Sequence, residues 1–166
     1  FELTLDLKQG LESAGLKVNE TLWNFYKNGK GSSYTRGAGV INYGAALDWK
    51  INECPVNVLK SDSAVTGSYG DSVAMFVLSR TGGEGGDLAR DMAAYGGKAG
   101  SHYLEPDETE LGVIDYLDKT FDKVILLVNC NNAFELGWVK NYPNIKAVVN
   151  FPGAGRMGTR GLGYML

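Results

Sequence analysis

Apolar residues first recur at helical spacing. Leu5, Leu7, Leu11 and Ala14 fall on one face, so a helix is expected over residues 5–14, and Gly15 suits the position that stops it. Residues 16–18 read as a short strand. From Asn19, a good N-cap, a second helix is expected, with Leu22, Phe25 and Tyr26 sharing a face. Residues 27–45 are polar and rich in Gly, Ser and Tyr, the pattern of a long exposed loop with a purpose. One helical turn is expected at residues 55–60. The run Val73-Ala74-Met75-Phe76-Val77-Leu78 is apolar without alternation, as in a strand covered on both faces of a parallel sheet. Pro106, Asp107 and Glu108 then open a helix to about Thr120, with Pro in its first turn and acids at the positive dipole end. Residues 124–128 and 145–149 are two further buried strands, and residues 155–166 form the helix after the last. Strand, loop and helix in repetition predict an α/β fold with a mostly parallel sheet.

Length confines this pattern to one domain. With 166 residues the chain is too short for an eight-stranded α/β barrel, which takes about 250. It is nevertheless long enough to bury roughly 68–70% of its unfolded surface without a metal or disulfide staple. Its formal charge of −3, with no cationic run, argues against nucleic acid as a partner. No apolar run reaches the ~18 residues of a membrane span. Cys54 and Cys130 stand far apart and without metal-ligand spacing, so they are expected as buried thiols in a reducing, cytoplasmic setting. The chain opens at Phe1 rather than Met and ends inside an apolar stretch, as expected of a piece of a longer protein.

Glycine alters the reading most: there are 23, about twice the usual share. The run Gly82-Gly83-Glu84-Gly85-Gly86-Asp87 frames one carboxylate with four glycines directly after an apolar strand. Ligands of parallel sheets collect at the carboxyl ends of strands. Glycine on both sides lets a second body approach Glu84, and a carboxyl shielded from water suits general acid chemistry. An incidental surface turn fits the same spacing. A phosphate cradle does not, because acids would stand where the anion sits. Asn129, Asn131 and Asn132 after the second strand are candidates for sugar hydroxyls or for caps and turns. His102, the only histidine, supports neither a metal site nor a catalytic triad, and Trp23, Trp49 and Trp138 read as core or rim residues.

Three segments follow one another in a distinctive order. The strand ending in Ser79-Arg80-Thr81-Gly82-Gly83-Glu84-Gly85-Gly86-Asp87 comes first. Next is the strand from Lys123 that leads into Asn129-Cys130-Asn131-Asn132, Glu135 and Trp138. Last is the stretch 145–166 with Pro152-Gly153-Ala154-Gly155 and Gly158. In order and spacing they resemble the C-terminal α/β-sandwich domain that follows the catalytic barrel in glycoside hydrolase family 3, the β-glucosidase-type enzymes. That domain has a Glu-Gly-x-Asp loop, an Asn–Glu–Trp run and a Pro-Gly-x-x-Gly-Gly segment in the corresponding places. Residues 5–26 resemble its opening. Leu88 departs from the pattern, since many members carry Arg there and the nearest here is Arg90.

The resemblance implies a three-layer α/β sandwich with helices on both faces, a single domain over residues 1–166, and a barrel elsewhere in the full-length chain. It implies retaining hydrolysis of β-linked sugars without metal or organic cofactor. The nucleophilic Asp would lie on the barrel, and Glu84 would be the general acid/base. Asp87 would hold the loop or touch the leaving-group sugar, and Arg80 and Arg90 would complete the substrate contacts. A non-catalytic sugar- or small-ligand-binding domain using the same loops is the alternative. A flavodoxin-like nucleotide binder lacks its phosphate loop here.

Overall fold

The computed structural model describes residues 4–166. Helix α1 (Leu7–Ser13) starts later than the apolar spacing suggests, because Asp6 caps it reciprocally with Gln9. Gly15, at φ +88°, ends it. Residues 16–18 join no sheet, and Leu16 N donates back to Leu11 O, so the expected strand does not form. Asn19 caps α2 (Glu20–Asn28) as expected, its side chain accepting from Leu22 N.

The expected loop 27–45 holds more order than its composition announced. A 3-10 turn (Lys30–Ser33) is followed by the antiparallel hairpin of β1 (Gly39–Ile41) and β2 (Ala46–Asp48), with Val40 opposite Leu47. Asn42 and Tyr43 turn its tip with φ of 51° and 54°, and Gly44 follows at 87°. Two short helices come next, α3 (Val56–Lys60) and α4 (Ser63–Thr66).

Strands β3 (Ala74–Ser79), β4 (Val124–Asn129) and β5 (Ile145–Asn150) form a parallel sheet in that order, with Phe76 beside Leu126 and Leu126 beside Val148. One face carries Ala74, Phe76, Leu78, Val124 and Leu126 against Val113 and Ile114 of α5 (Glu108–Thr120). Burying each such aliphatic side chain contributes about 1.5–3 kcal/mol. Leu127 points the other way and is also fully buried, so the central strand is covered on both faces. Edge strand β5 is not: Lys146, Val148 and Asn150 alternate outward, so it is covered on one face only, which corrects the expectation of a buried strand. Pro106 likewise stands outside α5, one residue before the cap Asp107, which forms a capping box with Glu110.

Helix α6 (Gly158–Met165) packs on α1. The helices meet at Gly10, where a Cβ would collide with the Thr159 backbone, and at Gly163, which leaves no room for a side chain above the Gly10 carbonyl. Thr159 Oγ1 donates to Leu5 O at 3.1 Å across this seam. The result is the mixed α/β sandwich expected from the sequence. No helix among the described residues is long and apolar enough to cross a membrane.

Candidate functional site

The loop that leaves β3 is anchored by its first residue. Arg80 is buried, and each of its five N–H groups has a protein acceptor: Nε donates to Tyr103 O (2.6 Å), Nη1 to Ser79 O (3.0 Å) and Glu110 Oε1 (2.7 Å), and Nη2 to Glu105 O (2.8 Å) and Glu110 Oε2 (2.7 Å). The guanidinium also lies between the Tyr103 and Phe134 rings, 5.4 and 4.9 Å from their centroids. A planar fork matched to one carboxylate and three carbonyls is a fixture of the fold. No donor remains for a sugar, so the substrate contact expected of Arg80 gives way to a scaffold role.

Beyond Arg80 the chain lies on the hairpin. Thr81 N donates to the Tyr103 hydroxyl (2.9 Å), and Arg36 Nε donates to Thr81 Oγ1 (3.2 Å). Gly83 and Gly86 rest against Val40 and Leu47, and a Cβ on Gly44 would strike the Gly85 carbonyl. The glycine frame thus serves close approach to β1–β2. Glu84 stands at the crest of the turn, exposed, with no hydrogen bond or ion pair to another described residue. Nothing among the described residues shields this carboxyl from water. Gly44→Ala is expected to cost about 1–3 kcal/mol, because Gly44 combines a left-handed backbone with this contact. Urea denaturation would measure the loss, and amide shifts of residues 82–87 should move with it.

The polar loops meet at the carboxyl edge of the sheet, as expected. Asn132 leans over Gly82, and Asn131 Oδ1 lies beside Gly153. Asp87 and Arg90, both exposed, line a cavity of about 290 Å³ with Leu88, Ala89, His102 and Leu104; Glu84 does not line it. His102 Nε2 lies 3.2 Å from Glu135 Oε1, and Glu105 accepts from His102 N at 2.9 Å. These three side chains are near enough to share a cation. However, Leu104 N–H points at His102 Nδ1 (3.3 Å), which places the imidazole proton on Nε2 and turns it toward Glu135 as a donor. The arrangement serves as a staple between loops, helped by Glu135 N donating to Leu104 O at 2.9 Å.

A second cavity, of about 260 Å³, escaped the sequence reading. Tyr34, Arg36, Ile51, Asn52, Glu53, Val77, Ser79 and Glu110 line it. Burial first, and the nearby Glu110 and Asp107 carboxylates after it, push the Glu53 carboxyl up from 4.5 to about 7, against the lowering effect of the Cys54 N–H it accepts. The only trace in the sequence is one acid between Ile51 and the apolar Cys54-Pro55-Val56. Because the folded chain holds this proton where the unfolded chain has released it, stability falls as pH rises from 4.5 through about 7. Glu53→Gln keeps an acceptor for Cys54 N. It is expected to stabilise the protein by about 2–3 kcal/mol at pH 8 and to change little at pH 4, as read from denaturant midpoints at the two pH values.

No protein-family model matches the chain, and no curated protein matches it significantly. Among solved structures it is similar to a β-glucosidase from Paenibacillus barengoltzii, with a TM-score of 0.69 and 25% identity over 97% of this chain. That span is 16% of the β-glucosidase chain, so the present chain corresponds to a small part of a much larger protein. The resemblance to the C-terminal α/β-sandwich domain of glycoside hydrolase family 3 is met in three dimensions: nearly the whole chain has the fold of one part of a β-glucosidase.

Proposed function

We propose that this chain is the C-terminal α/β-sandwich domain of a family 3 glycoside hydrolase, and that it completes a sugar site against a barrel carried elsewhere in the same protein. The observation that carries this reading is the unpartnered Glu84 on a glycine-framed loop at the carboxyl edge of β3, in a chain similar over 97% of its length to part of a β-glucosidase.

A retaining glycosidase needs two carboxyl groups about 5–5.5 Å apart across the glycosidic bond. Glu84 would be one of them and an Asp of the barrel the other. In the first step the Asp bonds to the anomeric carbon as the C–O bond breaks, and Glu84 gives its proton to the departing oxygen. In the second, water attacks the anomeric carbon, Glu84 takes its proton, and the Asp leaves. Docking of the barrel over the exposed Glu84 would supply the cover that a proton donor requires. Asp87 and Arg90, which line one cavity, would meet the leaving-group sugar. Arg80, through Glu110, holds the loop from beneath. The free, buried Cys54 and Cys130 fit a cytoplasmic enzyme. The deciding experiment compares wild type and Glu84→Ala in the full-length protein on an aryl β-glucoside, with the 166-residue chain alone expected to be inactive.

A further inference from the structure

Inside the protein, polar side chains are otherwise well matched; Arg80 occupies every donor it has, and among the described residues only Trp49 Nε1 is fully buried without a partner. The 260 Å³ cavity beside β3 breaks this pattern. Arg36 uses Nε on Thr81, leaving its two terminal nitrogens free of protein partners. Asn52 uses its amide nitrogen on Thr35 O, which leaves the amide oxygen. Glu53 accepts only from its neighbour Cys54 N, so most of its carboxyl capacity is open. The Tyr34 and Ser79 hydroxyls have no hydrogen bond to another described group. Glu110 is different, being held by Arg80.

Five side chains of mixed donor and acceptor character therefore surround one half-open space, with Ile51 and Val77 as an apolar floor. Charge selects the class of ligand. Glu110 is already neutralised by Arg80 and Glu53 is an acid, so only Arg36 would attract an anion, while the same Arg36 guanidinium opposes a metal ion, for which one unpaired acid is too few ligands. A neutral molecule whose hydroxyls both donate and accept, with an apolar C–H face, satisfies all five groups. The volume holds about nine waters at ~30 Å³ each and lies below the ~300–1,000 Å³ of drug-sized sites, which limits the occupant to a single ring.

We propose that the cavity lined by Tyr34, Arg36, Asn52, Glu53 and Ser79 is a binding site for one neutral, polyhydroxylated ring of monosaccharide size, separate from the Glu84 loop. Arg36 links this cavity to the base of that loop through its hydrogen bond to Thr81.

The test is a titration of the isotope-labelled 166-residue chain with D-glucose, followed by amide and side-chain NMR shifts, with inorganic phosphate as the contrasting probe. Saturable shifts are expected at Tyr34, Arg36, Asn52, Glu53 and Ser79, with a dissociation constant on the order of millimolar, as befits about a dozen heavy atoms. Phosphate should leave them unmoved. Asn52→Gly, which suits the left-handed backbone at φ 53°, and Arg36→Ala should each weaken binding at least about tenfold while preserving the spectrum of the fold. Linear, non-saturating drift would overturn the site. Shifts confined to residues 82–87 would do the same, placing sugar on the Glu84 loop instead. No hydrolysis is involved, so failure here leaves the Glu84 reading standing, and failure of Glu84→Ala leaves this one.

Discussion

If the proposed reading holds, replacing Glu84 by alanine in the full-length protein is expected to slow hydrolysis of a β-glucoside by a factor of about 10²–10⁴, the usual contribution of a positioned acid/base. The loss should depend on the leaving group. A nitrophenolate departs with little help, so its glycoside should keep most of the first step and suffer mainly in the second, where water must lose a proton. An alkyl or sugar alcohol needs the proton in the first step and should lose more. Measuring kcat/KM and kcat for both substrates separates the steps, since kcat/KM ends with bond cleavage and kcat includes release of the covalent sugar. Unchanged rates for both would remove Glu84 from the role and leave the sandwich as a binding or covering domain.

Arg80→Met should destabilise the chain by about 3–5 kcal/mol, because it leaves Glu110 charged and buried with no cation beside it. That is a large part of the ~5–15 kcal/mol by which domains are usually stable. The loss would also free the Tyr103 and Glu105 carbonyls, so loop 101–105 should show faster amide exchange. Lysine should not rescue, since a single ammonium cannot serve four acceptor groups in one plane. Arg80→Met combined with Glu110→Gln should recover part of the stability, as the amide oxygen can still cap Asp107 N while the stranded charge is gone. A loss below about 1 kcal/mol in urea denaturation would show the pair to be dispensable.

These two residues mark what the sequence could and could not reveal. Strand β4 was legible because a central parallel strand is apolar at nearly every position, and Val124 to Val128 satisfy that requirement, while β3, at the sheet edge, was legible from its apolar run alone. The exposed turn around Glu84 was legible because four flanking glycines mark a close approach, which the fold makes to the β1–β2 hairpin. Its neighbour Arg80 was read as a ligand contact, since a cation at a strand end looks the same whether it faces solvent or a carboxylate. Only the fold brings in Glu110, thirty positions away. The β1–β2 hairpin was missed because each strand has three residues, and its pairing depends on tip geometry rather than on alternation. Glu53 left no pattern at all, as its setting is assembled from the loop at Tyr34 and Arg36 and the free side of β3.

The seam between the first and last helices has a consequence for biosynthesis. Leu5 and Thr159 are 154 positions apart, so the apolar side of α1 has no native cover until the final helix has left the ribosome. The sheet and α5 can assemble earlier from contacts closer in sequence, while α1 waits without its partner helix. Synthesis that stalls before Gly158 should therefore leave the α1 segment protease-sensitive while the β3–β4 centre is already protected.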